Sequence, residues 1–259
     1  MLFKQISKLT TRYEEEVEEN IYEYVFAVKP RGDTEKNSVI YDKELKMYFE
    51  NPSGAVYTYE IEFTNVKLTL CRRLKKSKNF NRKLFYRYDF IRPKVNSKGQ
   101  VISILNKAEL KHNWSKLKTK MNIDHKGNYV ESYLNKIDAE FTMDESIYPS
   151  INQYMYFGLL FFNLPKTHSK DWQGRRLIEF SPYEKEKFEE KISVSSFTEK
   201  EITYEIQGNI LQNSDTSIEQ YTGTAIKAIN ENFAQVININ SSVIKDDIIR
   251  EWDFTFYKI

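Results

Sequence analysis

The chain has 259 residues, with 39 Lys+Arg against 37 Asp+Glu, one Cys, three His, and 18 Tyr, 17 Phe and 3 Trp. A 40% apolar fraction is ample for a sizeable core, so disorder is excluded as the main state. Eight glycines argue against glycine-rich phosphate loops, one cysteine cannot make an intramolecular disulfide, and no window reaches the ~18–20 apolar residues of a membrane-spanning helix.

The first residues, MLFKQISKLTTRYEEEVEE, hold no apolar h-region and no small-residue cleavage site, so a cytoplasmic location is expected. Tyr22 to Val28 and Val39 to Phe49 read as strands. Ala55, Tyr57, Tyr59, Ile61 and Phe63 then alternate with more polar neighbours, the period of a half-buried strand. The apolar parity switches at Val66, Leu68 and Leu70, which predicts a bulge or bend near Asn65. Leu84, Tyr86, Tyr88 and Phe90 alternate again and are read as a strand ending at Arg92-Pro93. The cluster Asn96-Ser97-Lys98-Gly99 predicts a hairpin turn into a strand over Val101, Ile102, Ser103 and Ile104.

The middle of the chain changes period. Asn106 with Glu109 three residues on has the grammar of an N-cap and capping box, and Leu110, Trp114, Leu117 and Met121 form one apolar helix stripe. Asp124-His125-Lys126-Gly127 reads as a turn, after which Asn128 and Glu131 repeat the pattern ahead of Leu134, Ile137 and Phe141. A third helix is predicted from Ser146 or Pro149 to Phe162; it is apolar nearly all round and therefore buried on most sides. Strand patterns return at Leu177 to Phe180, Lys187 to Ser195, Ile202 to Gln207, Tyr221 to Ile229, Phe233 to Ile239 and Ile248 to Phe256. Strands, helices, then strands is an α+β order, since a parallel doubly wound sheet needs βαβα alternation. The expected fold is a single α+β domain over residues 1–259: a curved, mostly antiparallel sheet of about nine to eleven strands around three central helices. Its strands fall at 20–105 and 175–259 and its helices at 106–163.

Charge is segregated. From Lys67 to Lys120 there are 17 basic residues and two acidic ones, a net of +15; the whole chain carries +2, so the remainder carries −13. Acidic clusters lie at 14–19 and 179–205. Such asymmetry fits an anionic partner, or a basic segment neutralised by the acidic strands. Within it, Arg72, Arg73, Lys75, Lys76, Lys78, Arg82 and Lys83 interleave with aromatics, the pattern that neutralises phosphates and stacks on unpaired bases of single-stranded nucleic acid. The regular alternation of the neighbouring aromatics argues instead that those rings face inward.

No Walker-type loop, GxGxxG, HExxH, GxSxG or EF-hand loop occurs, so no metal site and no cofactor is expected. His112, His125 and His168 are scattered and read as surface residues, and Cys71 reads as a small buried hydrophobe at a strand end beside Arg72 and Arg73. No catalytic residue is assigned, and enzymatic activity is the less favoured reading. The aromatic surplus points elsewhere. Tyr57, Tyr59, Tyr86, Tyr88, Trp114, Tyr154 and Trp252 can line an apolar cavity on the concave side of the sheet, giving polar handles to a bound molecule. The competing reading is a solid core in which these rings pack on one another.

From Gly99 to Leu110 the chain spells G-Q-V-I-S-I-L-N-K-A-E-L, which resembles a G-x-[VI]-x-x-[IL]-x-N-x-x-E-[LI] signature of uncharacterised bacterial proteins. In layout, with strands flanking a helical centre, it resembles the half-barrel of the LolA/LolB-like lipoprotein carriers, whose concave sheet and helices hold acyl chains. That likeness is architectural: the signal peptide and lipobox cysteine of those carriers are missing here, and it carries over no functional residue. The expected role is a non-catalytic binding protein, taking an apolar or amphipathic small molecule in the concave sheet or a protein partner. A subunit or accessory factor of a bacterial assembly, and a binder of anionic ligands or single-stranded nucleic acid through residues 67–120, are the alternatives.

Overall fold

The structure is a computed structural model that describes residues 21–31, 39–53, 56–70, 78–97, 99–142, 147–152, 157–161, 164, 169–179, 187–211, 216–231, 233–245 and 248–259. Three strands open the described chain: β1 (Ile21–Arg31), β2 (Val39–Ser53) and β3 (Val56–Leu70). Helix α1 (Lys78–Phe85) and a 3-10 turn (Tyr86–Tyr88) lead into β4 (Phe90–Ile91), β5 (Pro93–Asn96) and β6 (Val101–Ile104). Helices α2 (Lys107–Asp124), α3 (Asn128–Thr142) and α4 (Ile147–Ile151) follow. The remaining strands are β7 (Gln173–Glu179), β8 (Lys187–Phe197), β9 (Glu201–Ile210), β10 (Thr216–Ala228), β11 (Val236–Lys245) and β12 (Ile248–Lys258).

All of these strands belong to one antiparallel sheet in the order β6-β5-β3-β2-β1-β12-β11-β10-β9-β8-β7, with β4 also on β3. The front strands step outward from β1 and the back strands step inward to β12. The two meanders meet where Phe26 lies opposite Phe256.

The sheet is strongly curved, as two contacts require. Phe63 on β3 stacks on Phe157 with ring centroids 5.3 Å apart, and Arg176 on β7 donates to the carbonyl of the next residue, Gly158, at 3.1 Å. Strands β3 and β7 are eight places apart in the sheet. A flat sheet would separate them by about 38 Å. The sheet therefore wraps around the turn at 157–161, whose Phe157, Leu159, Leu160 and Phe161 are all buried.

Register follows from alternation. Val194, Tyr204, Ala225, Ile237 and Phe256 lie side by side across five back strands, and all are buried. The next row, Ile192, Ile206, Gly223, Ile239 and Phe254, continues the same inner face. Residues between these positions, such as Lys191, Glu205, Gln207, Thr222 and Thr224, are exposed on the outer face. On β3 the parity switch is a bulge: Glu44 pairs with Asn65 and Leu45 with Phe63, so the extra Thr64 lets Phe63 and Val66 both turn inward. The hairpin at 96–99 closes through Gly99 N–H to the Asn96 carbonyl at 3.0 Å, with Gly99 at φ 76.

Three expectations are corrected. Leu84, Tyr86 and Tyr88 are not strand residues: α1 covers 78–85 and the 3-10 turn 86–88. Phe80, Leu84 and Tyr88, four residues apart, supply a buried helical stripe, and two of its members also fitted a period of two. The third helix stops at Ile151, and 157–161 is a turn; a run apolar on every side has no polar stripe to mark where a helix ends. Asn106 stands at the α2 N-cap position without capping it. Its Oδ1 accepts the Arg92 backbone N–H at 2.9 Å, and its Nδ2 donates to the Phe90 carbonyl at 3.1 Å, so it braces the β4–β5 joint instead.

The α2 stripe is buried as its spacing requires, with Leu110, Trp114 and Met121 almost fully covered. The Trp114 ring stacks on Phe141 of α3 at 5.4 Å, and its indole N–H donates to Asp138 at 2.8 Å. Replacing Trp114 with Ala removes the largest joint between the helices and is expected to cost ~3–5 kcal/mol in urea unfolding; a loss under about 1 kcal/mol would show that the helix pair is not load-sharing with the sheet.

Candidate functional site

A transverse polar row interrupts the apolar inner face of the back sheet. In register across the strands lie Arg176 on β7, Glu190 on β8 and Gly208 on β9, and then Tyr221 on β10, Ser241 on β11 and Trp252 on β12. Glu190 is 0% exposed. Its two carboxylate oxygens are both occupied: Oε1 accepts the Tyr221 hydroxyl at 2.5 Å and Oε2 the Arg176 Nε–H at 3.0 Å. Arg176 extends the chain to the Gly158 carbonyl, so the row is coupled to the turn inside the sheet.

Gly208 makes this geometry feasible. A Cβ there would sit 2.4 Å from the Tyr221 ring, so the ring lies flat across the glycine and its hydroxyl reaches Glu190. Trp172 covers Gly174 on β7 in the same way, 2.6 Å from where a Cβ would stand. One row along, the Trp172 ring meets Tyr204 edge-on at 6.1 Å, and burial pushes the Tyr204 hydroxyl up to about 12. Lys227, on the same face and 3% exposed, donates to the Leu164 carbonyl.

The row ends differently. Ser241 is 4% exposed, and its hydroxyl has no hydrogen-bond partner. Its cross-strand neighbour Trp252 is half-buried and stacked on Phe254 at 6.4 Å. A buried, unpartnered hydroxyl beside a half-buried indole is a place where a polar group carried on an apolar body can gain both contacts.

The sequence-predicted aromatic set is divided. Trp252 stands at this site. Tyr59 packs on Phe161 and Phe233 at 5.5 and 5.6 Å, facing the central turn, with Tyr57 half-buried beside β5. Tyr88 and Trp114 lie between the helices, both against Phe141. The Tyr88 hydroxyl donates to Glu140 at 2.6 Å, and Arg87 pairs with the same carboxylate at 3.3 Å. Tyr86 is in the 3-10 turn with its side chain outside the described residues, where Tyr154 also lies.

Of the predicted anionic-ligand residues, Arg72, Arg73, Lys75 and Lys76 fall outside the described residues. Lys78 begins α1, Arg82 is exposed, and Lys83 pairs with Asp124 at 2.6 Å. The Lys83 hydrogen bond holds the Asp124 carboxyl below its ordinary value. Arg92 pairs with Glu60 and Lys118 with Asp138, so these cations of the basic stretch find carboxylates on β3 and the helices. Glu189 and Glu190 pair instead with Arg175 and Arg176 on the adjoining strand. His112 is exposed, His125 lies in the α2–α3 turn against Phe80, and His168 and Cys71 are outside the described residues. Among the described residues no three of His, Cys, Asp and Glu gather as metal ligands, and no helix is long and apolar enough to cross a membrane.

Sequence reading missed Arg176, Glu190, Tyr221, Ser241 and Lys227. The available signal was Gly208, a glycine inside an otherwise alternating strand, which marks a close approach without naming what approaches.

No family model matches the chain, and no curated protein matches it. Among solved structures, one described as "Lipid-protein interactions in lipovitellin" aligns with 93% of this chain at a TM-score of 0.47 and 10% identity. This chain spans 25% of that chain's length, and an overlap at this level carries no argument about function.

Two outcomes test the geometry. Gly208→Ala forces the Tyr221 ring off Glu190 and is expected to cost about 1–3 kcal/mol in urea unfolding, and little when Tyr221 is already Ala. Burial by itself would raise the Asp138 carboxyl, but hydrogen bonds from Trp114 and Lys118 and the charges of Lys118 and Lys111 hold it below its ordinary 3.8. A depressed folded pKa stabilises the protein above the unfolded value and is lost as pH falls through the folded one. Asp138→Asn, which keeps an acceptor for Trp114, should therefore show a shallower loss of melting temperature than the parent chain below pH about 4.

Proposed function

We propose that this chain is a non-catalytic binding protein that takes an amphipathic small molecule against the inner face of its curved sheet, with the polar group at Ser241 and the apolar body along Trp252. The observation that carries the reading is the buried Ser241 hydroxyl with no partner, next to a half-buried indole. A buried polar group left unsatisfied costs about 1–3 kcal/mol, and a ligand that bonds to it recovers that cost. The surrounding rows of Ile, Val and Phe supply an apolar wall, and Glu190 with Arg176 and Tyr221 fixes the row without taking up Ser241.

Native mass spectrometry of gently purified protein tests the reading directly: a monomer carrying extra mass supports it and identifies the ligand class. The Ser241→Ala variant separates ligand binding from folding. Without ligand it should be as stable as the parent chain or slightly more stable, because an unsatisfied hydroxyl has been removed. Its affinity for a single-chain amphiphile such as lysophosphatidylcholine should fall about threefold to tenfold. A clean apo protein whose parent and variant forms bind the amphiphile equally would overturn it.

A further inference from the structure

The two most exposed large hydrophobic side chains among the described residues sit at the two ends of one turn. Ile123, 71% exposed, is in the last turn of α2, and Tyr129, 79% exposed, is in the first turn of α3. Neither is a displaced core residue. The core positions of the same helices, Met121 and Leu134, are fully buried, and Ile123 lies off that stripe.

The turn is held rigidly. His125 N–H donates to the Met121 carbonyl at 2.8 Å, Glu131 N–H to the Gly127 carbonyl at 3.1 Å, and Gly127 takes φ 122 to reverse the chain. Helix α1 buttresses it through the Lys83–Asp124 pair at 2.6 Å and the Phe80 ring edge-on to His125 at 5.1 Å. The turn is therefore preformed, and it holds Ile123 and Tyr129 in solvent.

Its charge is lopsided. Lys116, Lys120 and Ile123 recur at four and three residues along one exposed stripe of α2, and Lys126 and Arg82 are exposed on the turn and on α1. Among the described residues of this turn and the helix ends beside it, the carboxylates are Asp124, already bound to Lys83, and Glu131. An aliphatic and a phenolic side chain at the tip, with lysines on flexible stems behind them, match the interface of an anionic bilayer: the apolar groups enter the acyl boundary and the ammonium groups stay at head-group level. We infer that the end formed by α1 and the α2–α3 turn docks on an anionic lipid surface, with Ile123 and Tyr129 inserting and Lys116, Lys120, Lys126 and Arg82 meeting the head groups.

Co-sedimentation of the full chain with vesicles of phosphatidylcholine, with and without phosphatidylglycerol, tests this. The chain should bind the phosphatidylglycerol vesicles, and binding should weaken as salt rises. The double variant Ile123→Ser, Tyr129→Ser should lower the partition coefficient at least about tenfold. Lys120→Gln with Lys126→Gln should lower it about tenfold as well. All four positions are exposed, so melting temperatures should stay within a degree or two of the parent's. The apolar pair is the deciding variant, because other cations in the basic stretch are also drawn to anionic vesicles. Vesicle binding untouched by the apolar variant overturns the inference. So does equal binding to neutral vesicles, or a single-stranded oligonucleotide bound through Lys120 and Lys126 without need of Ile123 and Tyr129. Ser241→Ala should leave vesicle binding unchanged, so this inference and the ligand reading fail separately.

Discussion

Two strands eight places apart in one sheet hold adjacent residues of a single turn, Phe63 through the Phe157 ring and Arg176 through the Gly158 carbonyl. That constraint makes the two faces of the sheet unequal. Curvature turns the inner face away from water, so apolar side chains line it, and a polar group placed there is costly unless it finds a partner. The outer face keeps its Thr, Glu, Gln and Lys in solvent. The pleat then turns a difference in curvature into a difference in chemistry at every second residue.

The same constraint explains which polar groups are inside. A turn enclosed by a sheet has carbonyls that no ladder can satisfy, and long cationic side chains from the wall can reach them. Arg176 does so for Gly158, and Lys227 reaches in the same way to the carbonyl of Leu164, beyond that turn. Arg176 in turn stands beside a fully buried carboxylate, and Glu190 fills its second oxygen with a tyrosine hydroxyl carried across a glycine. Each member exists because its neighbour does, so the row acts as one cooperative unit. Ser241, one strand further along, has no part in it.

The sheet was legible in the sequence to the extent that alternation is a local property. The strands of the back half and the bulge beside Asn65 follow from where apolar parity holds and where it switches, and α2 and α3 follow from spacings of three and four. Helix α1 was hidden because Phe80, Leu84 and Tyr88 satisfy periods of two and of four at once, so spacing alone does not tell helix from strand there. The polar row was illegible for another reason. Tyr221 meets Glu190 across 31 residues and Arg176 meets Glu190 across 14, and nothing in single-chain spacing joins those positions before register is known. Asn106 shows the limit of local grammar: its position at the head of α2 was correct, yet its amide serves the strands.

The pairing of β1 with β12 has a bearing on how the molecule comes into being. Phe26 waits for Phe256, 230 residues later, before β1 is paired on both sides. During synthesis the front meander can pair its own strands early, but its β1 edge stays open until β12 has emerged. That edge is a template for any extended strand nearby, including one from another copy. Assembly of this fold is thus governed by its most distant contact, the slowest kind to form, and a lapse at that step exposes the centre of the finished sheet rather than its rim.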